Sequence, residues 1–349
     1  MNTHTLVLYA TLSAVIFSAC IKVEAPPVDK NPWQKLSLSV ERPLQNAHVT
    51  PDALFFITQN EFFRLDRSLN LIEKRTLNAN FEVNGTPALS HNVFARLTKT
   101  NQGKQKLEFH LTKSGAEVVE FTTDDLTASS GETLEIDFQG SQIGAFNPDG
   151  TKFILAARNL SRFHYSFFIF ELQLDAQTFH FESVKIARKV DVEDMKLTFN
   201  NVGTLRFLDG NFYVASKQGG FRITPDGQTS KMSAGWVKDF FIFGRKIYAT
   251  GFENADFFVS ENSGLTFARN PRPSELKVVE TGGGKVVSHE FPGWSYYLAS
   301  DDLLNATPIL GNENFPDNNN AFFFLTFFEN NFFISVGKEV CYAAELKTQ

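Results

Sequence analysis

The sequence predicts an all-β fold, a β-propeller of seven blades, and three observations carry that expectation. Phenylalanine occurs 38 times in 349 residues, often as doublets such as Phe55-Phe56, Phe167-Phe168, Phe240-Phe241 and Phe332-Phe333. Aromatic enrichment in short runs favours strands over helices, because the rings fit a pleated, half-buried surface. Seven segments also repeat one order of strand, tight turn, second strand, short connection and third strand. A polar turn follows nearly every third strand, which completes a unit of blade size.

The turn between the first two strands is the clearest landmark. It occurs as Thr50-Pro51-Asp52-Ala53, Leu89-Ser90-His91-Asn92, Asn147-Pro148-Asp149-Gly150, Leu208-Asp209-Gly210-Asn211, Phe243-Gly244-Arg245-Lys246, Gly282-Gly283-Gly284-Lys285 and Glu329-Asn330-Asn331. Gly, Asn and Asp accept the positive φ of tight hairpins, and Pro presets φ at the entrance. The strands after these turns begin near residues 54, 93, 153, 212, 247, 286 and 332, at an average interval of roughly 46 residues, which suits four-stranded blades. The count falls to six blades if the segment Thr86 to Leu111 is irregular. Third strands are expected at Phe62–Leu65, Leu107–Leu111, Phe167–Leu172, Phe221–Ile223, Phe257–Val259, Tyr296–Leu298 and Val340–Tyr342. Two long intervals, Thr122 to Gly140 and Ala187 to Leu197, read as loops or elaborated outer strands. The chain stops after the third strand of its last blade, so closure needs an N-terminal strand. Lys35-Leu36-Ser37-Leu38-Ser39-Val40-Glu41 alternates strictly and is assigned that role.

The first residues read as a targeting segment. Leu6 to Phe17 is an apolar run of signal-peptide length, too short for a comfortable membrane span. It leads into Phe17-Ser18-Ala19-Cys20, which resembles the lipobox of bacterial lipoprotein signals, with Phe17 where leucine is commonest. That resemblance implies lipid attachment at Cys20 and a bacterial-envelope location, periplasmic or cell-surface. Residues 21–35 contain three prolines among alternating charges and read as a stiff tether. The organisation expected is therefore a signal peptide over 1–20, a tether over 21–35 and a propeller over 36–349. Cys341 is the only other cysteine and lies in an apolar run, so it is expected to pack as a small hydrophobe.

In the fifth blade, Ser260-Glu261-Asn262-Ser263-Gly264-Leu265-Thr266-Phe267 is similar to the Asp-box of sialidase-like propellers. Asn262 takes the place of the aspartate, and Phe267 that of the tryptophan. The resemblance implies a structural hairpin between third and fourth strands. Ser260, Asn262, Gly264, Thr266 and Phe267 would build it, away from any catalytic face, so it argues for scaffold alone.

The chemistry of enzymes leaves little trace. Arg222-Ile223-Thr224-Pro225 departs from the Arg-Ile-Pro of sialidases and reads as a strand entering a turn. Gly282-Gly283-Gly284-Lys285 lacks the length and the following Ser or Thr of a phosphate loop. The histidines show no metal-ligand spacing, and no metal or cofactor is expected. A net charge of −6 without basic runs argues against nucleic acid as a partner. Propeller function usually resides in loops at one mouth of the ring. The candidates there are Asn200-Asn201, Asn254 to Asp256, Asn312 to Asn320, and Phe291-Pro292-Gly293-Trp294, whose Trp294 suits sugar stacking or a protein contact. The expectation is a membrane-anchored, non-enzymatic binder of an envelope protein or glycan. The alternative is a glycan-active hydrolase or lyase with its site at the mouth.

Overall fold

Each phenylalanine doublet places its two rings on opposite faces of a strand, and in this fold both faces are covered. The computed structural model describes residues 32–348 except 78–85, 100–101, 114–116, 137–142, 176, 198–201, 233–234, 252–256, 271–275, 277, 291–294 and 312–322. The described strands form seven antiparallel sheets, here blades 1 to 7, with strands a to d in order. Blade 1 is Asn46–Val49, Leu54–Ile57, Glu61–Leu65 and Leu71–Thr76. Blade 2 is Ala88–Leu89, Val93–Lys99, Gln105–Leu111 and Val118–Thr122. Blade 3 is Gly144–Phe146, Lys152–Asn159, His164–Leu174 and Phe181–Lys196, with Leu134–Ile136 extending its first edge. Blade 4 is Val202–Leu208, Asn211–Ser216, Gly219–Ile223 and Thr229–Lys231. Blade 5 is Val237–Phe243, Lys246–Gly251, Phe257–Ser260 and Ala268–Asn270. Blade 6 is Val278–Gly282, Lys285–Glu290, Ser295–Ala299 and Ala306–Pro308. Blade 7 is Phe323–Phe328, Asn331–Val336, Glu339–Ala343 and, from the other end of the chain, Gln34–Lys35.

Strand a of every blade touches strand a of the next, and Phe323–Phe328 returns to Asn46–Val49. The a strands thus form the inner wall and the d strands the rim. Burial follows the same radius: Leu54–Ile57 is wholly buried, whereas Leu71–Thr76 is mostly exposed. The doublets now have a reason. Phe55 packs into the seam with blade 2 and Phe56 into the seam with blade 7. Phe167 and Phe168 divide between the blade 3–4 and 2–3 seams, and Phe240 and Phe241 between 4–5 and 5–6. Each fully buried ring contributes about 2–3 kcal/mol of apolar transfer, so the doublets weld both sides of a blade at once.

All seven landmark turns join strands a and b, and all seven expected third strands are c strands. Val93–Lys99 and Gln105–Leu111 form a regular pair, which fixes the count at seven. Of the two long intervals, the first needs correction and the second takes one of its two expected forms. The segment after Thr122 is neither loop nor strand at its start but helix α1 (Thr123–Ser130). Thr122 and Asp125 form a reciprocal capping box, and Gly131 ends the helix at φ 70°. The second long interval is an outer strand, part of the 16-residue Phe181–Lys196.

Closure is by an N-terminal strand, but a shorter and earlier one than Lys35–Glu41. Gln34 and Lys35 pair with Tyr342 and Cys341, and the Leu36 N–H reaches Val340 O at 2.8 Å. Those two residues therefore belong to blade 7 and not to a tether. Beyond them the chain crosses to blade 1. Leu36 and Leu44 are buried there, with Leu38 and Val40 against the same core. The alternation thus serves seam packing, not sheet pairing. Glu61, almost fully buried, accepts the Glu41 N–H at 2.9 Å and pairs with Lys74 at 2.7 Å, while Lys74 donates to Ser39 O.

Candidate functional site

Antiparallel order puts the a–b and c–d turns on one face of the ring and the b–c and d–a connections on the other. The mouth candidates Asn200-Asn201, Asn254 to Asp256, Phe291 to Trp294 and Asn312 to Asn320 lie outside the described residues, as does Cys20. Among the described residues, the feature nearest to a central site has no local signature in the sequence. Arg206 on the a strand of blade 4 forks onto Asp239 of blade 5, Nε to Oδ1 at 3.1 Å and Nη2 to Oδ2 at 2.8 Å. The same Nη2 reaches Glu280 Oε1 of blade 6 at 3.4 Å. Blades 4 and 6 are not neighbours, so this contact spans the inner end of blade 5. Asp239 Oδ1 also accepts from Thr204 Oγ1 at 2.6 Å and the Phe240 N–H at 2.7 Å.

The electrostatics of this triad are uneven. Side-chain exposures of 31% for Arg206, 17% for Asp239 and 22% for Glu280 mean that solvent reaches all three, although protein surrounds them. Asp239 and Glu280 hold the guanidinium strongly protonated. Glu280 is pushed up to about 7, first by burial and then by the Asp239 charge, against the pull of Arg206. A carboxyl titrating near neutrality beside a fixed ion pair is a familiar arrangement for proton exchange or for ligand-coupled protonation.

A second network surrounds the b–c connection of blade 3. Glu132 pairs with Arg162 and Lys189 and accepts from Asn159 at 2.6 Å. Asp191 pairs with Lys189 at 2.8 Å, accepts from Ser166 Oγ at 2.6 Å and lies 3.2 Å from His164 Nε2. Ser, His and Asp are together, but in the wrong order for acyl transfer. The acid lies between serine and histidine, so the serine proton is directed at Asp191 and not at a base that could release it. The arrangement stabilises a hairpin. A third network, Arg96–Glu108–His110 with Thr98 and Lys106, is buried in blade 2 and holds the Glu108 carboxyl well below its usual range.

The turn of blade 5 lies between its c and d strands. Ser260 Oγ accepts the Gly264 N–H at 2.9 Å and donates to Asn262 Oδ1 at 2.9 Å. Asn262 Oδ1 accepts the Thr266 N–H at 3.0 Å, and its Nδ2 donates to Thr266 Oγ1 at 2.8 Å. Gly264 sits at φ 76°, and a Cβ there would fall 2.5 Å from Tyr213 Oη of blade 4. That hydroxyl donates to Ser263 O at 3.1 Å, and Phe267 packs edge-on to Phe240. The turn docks blade 5 onto blade 4. Asp66, Asp175, Asp226 and Asp302 fold back on their own c–d turns in the same manner, which lowers the carboxyl of each. These turn acids are structural caps.

Gly283 and Gly284 take φ 56° and 71° in a plain a–b hairpin. Tyr296 is buried, with its hydroxyl pushed well up, while Tyr297 on the opposite face is half-buried. Cys341 is a buried free thiol, raised by burial to about 11. Among the described residues, no group of three or more His, Cys, Asp or Glu is placed to hold a metal ion.

No protein-family model matches the chain, and no curated protein does. Solved structures do. The β-propeller domain of Cps50 (Swd1) from Myceliophteria thermophila matches with a TM-score of 0.51 at 9% identity, over 87% of this chain and 99% of that one. PorZ, a surface component of the type-IX secretion system of Porphyromonas gingivalis, matches with a TM-score of 0.48 at 12% identity. That match covers 91% of this chain, which spans 39% of PorZ. The computationally designed Ika8 protein matches with a TM-score of 0.49 at 10% identity, over 89% and 99%. Likeness at this level of identity establishes the propeller fold and nothing finer.

Proposed function

We propose that this chain is a lipid-anchored propeller of the bacterial envelope that binds a protein or glycan without turning it over. The observation that carries the reading is the join between its two halves. The lipobox-like Phe17-Ser18-Ala19-Cys20 lies only 13 residues before Trp33, which is already packed into the ring through its Nε1 bond to Leu310 O. An anchor at Cys20 would therefore hold the propeller itself close to a membrane. The blade 5 turn is read as a relative of the Asp-box that acts as scaffold. The ion networks support binding over catalysis, because Arg206, Glu108 and Asp191 are each committed to protein partners.

The second reading, a glycan-active hydrolase or lyase, is favoured by one observation: Glu280, pushed up to about 7, lies near Asp239 where solvent partly reaches both carboxyls. Two experiments separate the possibilities. The chain isolated from bacterial membranes should resist salt extraction, and Cys20→Ala should release it; a Cys20→Ala chain that stays membrane-bound overturns the anchor. On a glycan array the protein should be retained without generating reducing ends. New reducing ends that disappear in Glu280→Gln would establish the enzyme instead.

A further inference from the structure

We infer that the turn face of blades 5 to 7 rests on the lipid surface that holds the anchor, and this rests on the reading of Cys20 just given. Two consecutive blades, 5 and 6, carry the argument at one equivalent position, the c–d turn, and blade 7 adds the entry of the chain. In blade 5 that position presents Leu265, 61% exposed, and in blade 6 it presents Leu304, 51% exposed. In blade 7 no turn follows strand c. The place is taken by the incoming N-terminus, because Gln34 pairs with Tyr342 at the end of that strand. Phe327, at the a–b turn of blade 7, adds a ring 36% exposed on the same face.

Large apolar side chains at the tips of rigid turns lose by facing water and gain nothing within the fold. Here the turns are rigid: Leu265 follows the capped Ser260–Gly264 hairpin, and Leu304 donates its N–H to Asp302 Oδ1 at 2.9 Å. The c–d tips of blades 1 and 4 end in Arg67-Ser68 and Pro225-Asp226, while blade 3 presents Phe179, 37% exposed, at its c–d turn, so the exposed apolar tips share this face and the largest are those of blades 5 and 6. Several charges in the sector are paired, Lys246 with Glu261, Lys285 with Asp301 and Glu329 with Arg67 of blade 1, while Asp302 beside Leu304 keeps a carboxylate without a salt bridge among the described residues. Thirteen residues between Cys20 and Trp33 extend at most about 45 Å, so a lipidated chain keeps this face at high local concentration beside the membrane. Each tip then inserts to the depth of a headgroup, as interfacial side chains do. The opposite face, which carries Phe163 at 71% exposure, is left to ligands.

The test uses the lipidated full-length chain in vesicles of phosphatidylethanolamine and phosphatidylglycerol. Leu265→Cys, Leu304→Cys and Phe163→Cys are each labelled with an environment-sensitive thiol dye; Cys341 is buried and stays unlabelled. Flotation of each protein with the vesicles is read first. Dye at 265 and 304 should brighten several-fold and be quenched by brominated lipid, while dye at 163 should not respond. Flotation with no response at 265 and 304, or with an equal response at 163, overturns the orientation and leaves the anchor standing. Loss of flotation in high salt overturns the anchor and the orientation with it.

Discussion

The ring is built in two ways. Between blades 1 and 2 the seam is a stack of rings: Phe55 on Phe62 at 5.6 Å, Phe62 on Phe94 at 5.1 Å, and Phe94 on His110 at 4.7 Å. Arg75 lies over Phe62 and donates to Leu111 O and Thr112 O of blade 2. Blades 4 to 6 are instead linked by direct bonds among Arg206, Asp239 and Glu280, whose side chains solvent partly reaches. The first seam excludes water and lowers His48 and His110 by burial; the second admits water and keeps its charges. Apolar stacking supplies rigidity, and the ionic link leaves a group able to change charge. The two sectors should therefore respond to mutation and to pH with different sizes and opposite signs.

Phe94→Ala should have the largest effect, because it opens the stack at its centre. A loss of about 4 kcal/mol is expected for a fully buried phenylalanine, read as a lower midpoint in urea unfolding at unchanged slope. Acidification comes next. His48 of blade 1 meets His91 of blade 2 at 2.8 Å, and burial, then the His91 charge, lower His48 from 6.5 to about 4. The unfolded chain takes this proton at a higher pH than the folded one. Stability is therefore full above pH 6.5 and falls as pH drops towards 4, by up to about 3 kcal/mol. His48→Gln should flatten that limb, and an unchanged limb would remove His48 as its cause.

The ionic sector should give less. Arg206→Met strands two carboxylates, and with solvent present a loss of about 2 kcal/mol is expected. Adding Glu280→Gln should recover part of it, as a coupling in a double-mutant cycle. The smallest effect has the opposite sign to that of His48. Glu280 is raised from 4.5 to about 7, so the folded state holds the proton longer. Its contribution is present at pH 4.5 and below and is lost as pH rises through 7, about 1 kcal/mol after allowance for solvent. Glu280→Gln should remove that slope while leaving the acid limb of His48 in place. A Glu280→Gln protein that still loses stability between pH 5 and 7 would assign the slope elsewhere.

The contrast also shows what a sequence can disclose. The turns Asp209-Gly210, Gly283-Gly284 and Pro148-Asp149-Gly150 announce themselves because backbone conformation is a local property of those residues. From them the blade count follows. Helix α1 escaped because Thr123–Ser130 buries only Leu126 and so has little apolar periodicity. Its signal was the Thr122-to-Asp125 spacing of a capping box. The segment 36–41 was misjudged because alternation reports that one side is covered, and here a neighbouring blade covers it. The Arg206 triad was illegible for a deeper reason. Arg206 lies 33 residues from Asp239 and 74 from Glu280, and only closure of the ring brings them together.

That closure has a kinetic consequence. Gln34 meets Tyr342 across 308 residues of chain, the longest span tied by a hydrogen bond among the described residues, in exchange for a strand of two residues. A chain emerging from its N-terminus must hold Gln34 and Lys35 unpaired until the last strand arrives. Loop-closure entropy grows slowly with length but is paid in full before this contact forms. Blade 7 is therefore expected to assemble last and to open first. Cys341, directly behind the closing strand, is the timer: its rate of thiol modification counts how often the ring comes undone.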